Sequence, residues 1–308
     1  MNQVNTNQYR RIIILGGTGF IGSDLSSFLQ TEGYEVQAYG REAFSSLPHL
    51  CSLIDGCDVL IMLSGANIGE RWTAAHKQAI WDSRLKTNAL LQQALQAVET
   101  VPSRVLAASA IGIYPQTSCA SPWDESCEQV DDSYLGKLGL AWEAASHALS
   151  DQNQVDLTLL RFGVVLGNGG ALSKMLPAFK WGLGGPVAGG QQCMSWIHIH
   201  DLCRAIAFVL KAPDPSTIYN LCSPHPVNNM TFGKALARTL RRPFLLPLPA
   251  WQLKLMFGEG AQVLTHSSAV MPSRLIQEGF AFDFADINHA LEDLLSSLSQ
   301  RERRPKHA

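Results

Sequence analysis

Residues 11–22, RIIILGGTGFIG, decide how the rest of the chain is read. Arg11–Leu15 is an apolar run with no polar alternation, the pattern of a strand buried on both faces. Glycines at 16, 19 and 22 follow at once, and Ser23–Thr31 then sets Leu25, Phe28 and Leu29 on one helical face. A strand, a glycine turn and a helix in that order make a cradle for a pyrophosphate. The glycines permit the tight turn, the approach of backbone to phosphate and the close packing of helix on sheet. The first amides of the helix point at the anion. Gly16, Gly17, Thr18, Gly19, Phe20, Ile21 and Gly22 are therefore the expected contacts of a dinucleotide.

Outward from this unit, strands and helices alternate. Tyr34–Tyr39 and Asp58–Leu63 read as strands, and 73–98 as one long helix or a broken pair. Arg104–Ala108 and Leu157–Arg161 read as strands around a helix near 135–149. That spacing predicts a parallel sheet with crossover helices. After Gly163, glycine and proline punctuate the chain and loops dominate. Asp201 reads as the N-cap of the helix LCRAIAFVL, and Ser216–Leu221 as another short strand. The expected fold is α/β, a Rossmann-like doubly wound parallel sheet with a smaller, mainly helical C-terminal substrate lobe. Residues 10–165 form the dinucleotide domain, with 195–221 returning to its sheet. Residues 166–194 and 222–298 form the lobe, and 1–9 and 299–308 are flexible tails.

Composition bounds the partners. With 308 residues, 46% hydrophobic and 16% charged, the chain can build a core and is not generally disordered. The formal net charge is -2 although four basic residues fall in the last eight, so the body of the chain is acidic and no nucleic-acid platform is expected. No run reaches the ~18 apolar residues of a membrane span. The polar start MNQVNTNQYR lacks the order of a secretory signal. A cytoplasmic protein without a membrane partner, monomeric or homodimeric, is the expectation. The seven cysteines, an odd number without a CxxC pair, read as free thiols in a reducing compartment. No cysteine or histidine spacing matches a metal site, so no metal is expected.

The second strand ends at Gly40-Arg41 with no acid in the position that grips a ribose diol, whereas Arg41 suits a 2′-phosphate. NADP is the preferred cofactor. Glu42, one position later, keeps NAD in the reading.

Together GGTGFIG, the LSGAN segment (63–67) and the Ser109/Tyr134 region resemble an extended short-chain dehydrogenase/reductase of the NAD-dependent epimerase/dehydratase type. The stretches 61–84, 182–201 and 271–284 look like an uncharacterised epimerase-like subfamily with its own C-terminal helical domain. Its members are sometimes labelled sugar-nucleotide epimerases or cell-division inhibitors. The resemblance adds Leu63, Ser64, Gly65 and Ala66 to the cofactor contacts. It also implies that Ser109 steadies a substrate oxygen, that Tyr134 exchanges its proton, and that a lysine four residues later lowers the tyrosine pKa and holds the ribose. Here that position holds Leu138, and Lys137 stands one residue early, about 100 degrees around the helix. Ser109, Tyr134 and Lys137 are the candidate catalytic set, with a shifted dyad. Tyr134 as a cleft-wall aromatic and Lys137 as a solvated residue is the plainer alternative.

Arg71 and Trp72 follow the third strand at the carboxyl edge of the sheet, where Arg can clamp an anion and Trp can stack on a sugar. Trp196 and His198 lie in the cleft segment of the resemblance. These four are the candidate substrate contacts; a packed Trp72 beside a surface Arg71, and a structural His198, are the alternatives. The expected activity is that of an NADP(H)-binding oxidoreductase or epimerase-like enzyme on a small polar or sugar-like carbonyl or hydroxyl compound. A non-catalytic NADP-binding sensor or partner-binding protein is the second reading.

Overall fold

The computed structural model describes residues 9–153 and 155–303. Six strands form one sheet in the order β2-β1-β3-β4-β5-β9, every pair parallel. They are β1 (Arg11–Leu15), β2 (Glu35–Tyr39), β3 (Val59–Met62), β4 (Arg104–Ala110), β5 (Asp156–Phe162) and β9 (Ile218–Leu221). Helices α1 (Phe20–Thr31), α2 (Leu47–Ile54), α3 (Ala74–Ala97) and α4 (Tyr134–Asn153) make the crossovers. After β5 come β6 (Val164–Leu166), α5 (Gly170–Lys180), β7 (Cys193–Met194), β8 (Trp196–His198) and α6 (Ile199–Lys211). Beyond β9 lie β10 (Val227–Asn228), α7 (Asn229–Leu240), α8 (Ala250–Phe257), α9 (Gln262–Thr265), α10 (Ser273–Gln277) and α11 (Ile287–Arg303). Residues 1–8 and 304–308 of the expected tails lie outside the described residues, and α11 continues through 299–303.

The lack of alternation in RIIIL has a direct cause. Ile12 and Ile14 face the layer of α1 and α6, where they meet Leu25, Leu29, Ile206 and Val209. Ile13 and Leu15 face the opposite layer with Leu50, Ile54, Leu91 and Leu95 of α2 and α3. All four are fully buried, so a Leu15→Ala change would cost roughly 2–5 kcal/mol. The strand order reverses direction at β1/β3, which opens a crevice beyond their carboxyl ends. The cradle at 16–22 and the turn after β3 both stand there.

A third core holds the smaller lobe together. Leu166, Phe179, Trp196, Phe232, Leu236, Leu291 and Leu294 pack α5, α7 and α11 around β8. β8 does not join the main sheet; it pairs with β6. Two expectations are corrected. Helix α6 starts at Ile199 with His198 as its N-cap, so Asp201 stands in the first turn rather than at the cap. Asp201 instead accepts the amides of Asp283 and Phe284 and pairs with Arg204. Cys119 and Cys193 are joined in a disulfide with Cα atoms 5.4 Å apart, within the ordinary range. The fold carries Cys119, on the β4–α4 connection, against β7, a contact across 74 residues that no local spacing announces. Cys51, Cys57, Cys127, Cys203 and Cys222 are free.

Candidate functional site

Three of the four glycines of the turn, Gly16, Gly17 and Gly22, are dictated by a neighbour. Gly16 has φ +86, and a Cβ there would stand 2.8 Å from the backbone of Leu63 and Ser64. At Gly17 it would meet Ala38 at 2.6 Å, and at Gly22 it would meet Gly17 Cα at 2.5 Å. Backbone therefore packs on backbone, and the 63–66 segment lies directly beside the turn. Thr18 and Gly19 are exposed, and the nearest atom to a Cβ at Gly19 is Gly16 O at 3.4 Å. Gly19 is the N-cap of α1 and offers no side-chain acceptor. The first helical amides, of Phe20 and Ile21, thus have neither an intrahelical nor a capping partner. This cradle fits a pyrophosphate. The Phe20 side chain points elsewhere: its ring lies under Gly167, Gly169 and Gly170 and anchors the loop after β6.

At the end of β2, Arg41 is exposed. Glu42 folds back so that Oε1 accepts the Gly40 amide at 2.5 Å. A Cβ on Gly40 would sit 2.6 Å from Thr18 Oγ1 and 2.7 Å from Glu42 Oε2, so carboxylate and hydroxyl flank the same glycine. Backbone hydrogen bonds from Gly40 and from its own amide hold the Glu42 carboxyl below its ordinary pKa. A cation and an anion therefore share the edge where a ribose 2′ substituent would be read.

Beyond β3, the Ala66 amide donates to Ser83 Oγ, and Ala66 O faces the Arg84 guanidinium. Arg84 is buried on α3 behind Gly65, stacked 4.7 Å from the Trp142 ring. It has no carboxylate partner among the described residues, and its Nε is unpartnered. Burial lowers its pKa to about 10, which still leaves a cation immediately behind the 63–66 loop. The sequence reading missed Arg84. The available signal was an arginine on the inward face of a helix whose neighbours Ile80, Asn88 and Leu91 are also buried.

The hydroxyls of Ser109 and Tyr134 are engaged with different partners. Ser109 ends β4 almost fully buried, and its hydroxyl donates to Glu143 at 2.6 Å. Glu143 also receives Nε and Nη2 of Arg161, both at 2.7 Å. Arg161 Nη1 donates to Tyr114, whose hydroxyl donates to Asn220. Burial opposes the charge of Arg161, but its bonds to Glu143 outweigh that and raise its pKa; burial pushes Tyr114 up to about 12. Tyr134, nine residues before Glu143, is the first residue of α4, so about 13 Å of helix rise separates the two Cα atoms. Its hydroxyl donates to Lys77 O at 2.8 Å, and its ring packs on Trp72 at 5.0 Å. Burial raises its pKa. Lys137 is exposed, whereas Leu138 is buried against Trp72 and Ile80.

The four candidate substrate residues are engaged with the protein itself. Arg71 donates to the carbonyls of Leu255 and Met256. Trp72 is buried, donates to Ile68 O, and pairs by backbone with Phe257. Both tie the β3–α3 connection to α8. Trp196 is fully buried and donates to His225 O. His198 stacks 3.9 Å from Phe284, with Nδ1 accepting the His200 amide. Its Nε2 lies 3.3 Å from Asp293 but is not aligned to donate. Burial lowers its pKa to about 4.

The profile of the NAD-dependent epimerase/dehydratase family matches residues 12–222, the span of the whole six-stranded sheet. The chain belongs to this family. Residues 248–294 match a domain of unknown function, DUF1731. Epimerase family protein SDR39U1 of Mus musculus is 33% identical over 297 residues, 93% of this chain and 100% of that protein. Epimerase family protein YfhF of Bacillus subtilis is 31% identical, covering 92% of this chain and 98% of its own. A crystal structure of human SDR39U1 with NADPH superposes with a TM-score of 0.85 at 29% identity, over 93% of this chain and 99% of that one. The chain thus shares both the sheet and the helical C-terminal region with the epimerase-like subfamily that its sequence resembles.

Proposed function

We propose that the chain binds NADP(H) across the carboxyl edge of β1 and β3 and uses it on a small polar or sugar-like carbonyl or hydroxyl compound. The observation that carries this reading is the turn at 16–22. Gly16, Gly17 and Gly22 are forced by backbone contacts, and the start of α1 leaves the amides of Phe20 and Ile21 without an intrahelical or capping partner next to the 63–66 segment. The NADPH in the structure of the human relative supports it. A bound nicotinamide would supply or accept a hydride. The protein's own groups would do the rest: the α1 amides and the buried charge of Arg84 favour the anionic pyrophosphate, and Arg41 favours a 2′-phosphate. Ser109, clamped by Glu143 and Arg161, holds the floor of the cleft rigid. Tyr134 and Lys137 could exchange a proton with substrate only if Tyr134 left the Lys77 carbonyl.

That last requirement favours a second reading, a non-catalytic NADP(H) binder, because both hydroxyls of the expected catalytic set are spent inside the protein. Titration calorimetry with NADPH and NADH tests the shared part; failure to bind either nucleotide defeats both readings. NADPH oxidation against a panel of carbonyl compounds and sugar nucleotides separates them, with turnover expected for the enzyme and tight binding without turnover for the binder.

A further inference from the structure

Residues 157–200 and 215–258 contain no aspartate or glutamate. The lobe they build nevertheless displays Lys174, Lys234, Arg238, Arg241, Arg242 and Lys254, every one exposed and none in an ion pair among the described residues. Lys234 and Arg238 stand four apart on the outer side of α7, whose inner side buries Phe232, Ala235 and Leu236. Arg241 and Arg242 end that helix and lead directly into the next exposed stretch. The nearest acids along the chain are Asp214 and Glu259, and Glu259 is paired with Lys77.

Large apolar side chains stand on the same surface. Trp181 is 82% exposed, Leu245 76%, Leu255 69% and Trp251 65%, with Leu246 and Met256 at least half exposed. They are neighbours in space. The amides of Leu245 and Leu246 both donate to Gly184 O, and that of Ala188 donates to Leu248 O, so 181–188 runs beside 243–248. Helix α8 begins two residues after Leu248 and presents Trp251 and Leu255 one turn apart on one side. Its only buried residue is Leu253.

Two exposed indoles, several exposed leucines and five cations from 215–258, a stretch without an acid, do not describe an ordinary solvated face. A second copy docking isologously would set cations against cations. An anionic bilayer matches both halves of the pattern: indoles and leucines favour the headgroup layer, while lysine and arginine meet lipid phosphates. No helix among the described residues is long and apolar enough to cross a membrane, so the association is with the surface alone. We propose that this face docks on an anionic lipid bilayer, with Trp181, Leu245, Trp251 and Leu255 entering the headgroup layer and Lys234, Arg238, Arg241 and Arg242 meeting the phosphates. This departs from the expectation of no membrane partner, which rests on the lack of an apolar run of spanning length; a net charge of -2 over the whole chain also hides the stretch 215–258, whose charged residues are all cations.

The test is flotation of the full chain with vesicles of phosphatidylcholine alone and of phosphatidylcholine with one-third phosphatidylglycerol. Binding is expected only to the anionic vesicles, and it should fall as salt rises from about 0.1 to 0.5 M. Each cation removed should weaken partition roughly fivefold, so Arg241→Gln with Arg242→Gln should weaken it ~25-fold. Trp181→Ser with Trp251→Ser should also release the protein. Circular dichroism and NADPH titration report whether either double variant has kept its fold. No flotation at low salt, equal flotation with both vesicle types, or folded double variants that float like the parent would overturn the proposal. So would a dimer abolished by Trp181→Ser with Trp251→Ser, or capture by poly-glutamate, in a protein that ignores vesicles. Those results would assign the face to a second copy or to an acidic polypeptide.

Discussion

Replacing Arg161 with methionine removes a cation from a place that water does not reach. The side chains of Arg161 and Glu143 are each 8% exposed. The change strips two 2.7 Å hydrogen bonds from Glu143 and one from Tyr114, leaving the carboxylate only the Ser109 hydroxyl. Breaking a buried pair from one side costs about 3–5 kcal/mol, because the remaining charge is uncompensated. Glu143→Met should cost a similar amount, leaving the guanidinium on Tyr114 alone. Simple addition puts the double variant at about 6–10 kcal/mol, comparable to the entire stability of many domains. Removing both charges together should cost much less. Glu143→Met with Arg161→Met leaves no buried charge, only two hydroxyls each short of one partner, and Tyr114 still donates to Asn220. The double variant should be no less stable than Arg161→Met, with a coupling energy of about 3 kcal/mol or more. Urea unfolding of the four proteins at pH 7 measures the cycle. Additive losses, or single variants each within ~1 kcal/mol of the parent, would show that the network does not act as one buried ion pair.

At the end of β2, Arg41→Glu should lower NADPH affinity by about 10- to 100-fold, the loss of one charge-assisted bond, while Glu42→Ala should widen the preference for NADPH over NADH; calorimetry that finds both ratios unmoved excludes these residues from the choice. Tyr134→Phe loses a hydrogen bond to Lys77 O and should cost roughly 1 kcal/mol in urea with NADPH affinity unchanged. If Tyr134 is nevertheless the proton donor, stopped-flow turnover should fall by ~10²–10⁴-fold; full activity removes it from any mechanism. Burial holds His198 near a pKa of about 4, against an ordinary value of about 6.5, so the unfolded chain takes up this proton first as pH falls. Its contribution is therefore intact above about pH 6.5 and is lost progressively towards pH 4, by up to roughly 3 kcal/mol. His198→Asn keeps an acceptor for the His200 amide and should flatten that slope; equal slopes from pH 7 to 4.5 in both proteins would refute the assignment.

What was legible in the sequence followed from local periodicity. RIIIL, DVLIML and the glycine turn each carry their own signal, since a strand covered on both faces cannot alternate and a backbone packed on backbone cannot carry a Cβ. What escaped depends on partners distant in the chain. Asp201 has the composition of a cap, yet the amides it binds come from residues 283 and 284. Tyr134 starts α4, and its hydroxyl is taken by a carbonyl 57 residues away. A charged residue inside LTLLRF was a readable hint, because a buried guanidinium demands acceptors, but nothing local named Glu143. Trp196 is a candidate contact only through the family resemblance of its segment, and the fold buries it in the centre of the lobe.

The C-terminal region divides mechanically, and the division bears on what each part can do. The chain from 268 to 284 is stitched to the sheet side. Ser195 Oγ accepts the Val270 amide and donates to Ser268 O, Asn220 donates to Met271 O, Glu125 accepts the Arg274 amide, and Arg274 donates to Ile218 O. Glu125 also accepts the Asn220 amide, so this stitching continues through Tyr114 and Arg161 to Ser109. A displacement of 268–284 would therefore have to break buried polar bonds that water cannot replace, which ties the floor of the cleft to the second lobe as one unit. Helix α8 is held differently, by Leu253, by the backbone pairing of Trp72 with Phe257, and by Arg71 on its last carbonyls. Few buried contacts and a large exposed apolar area put α8 at the low-stability end of the structure. The element proposed to meet an external surface can then move without disturbing the cradle, and Arg71 and Trp72, which join it to the β3–α3 connection, are the residues through which such a movement would be felt.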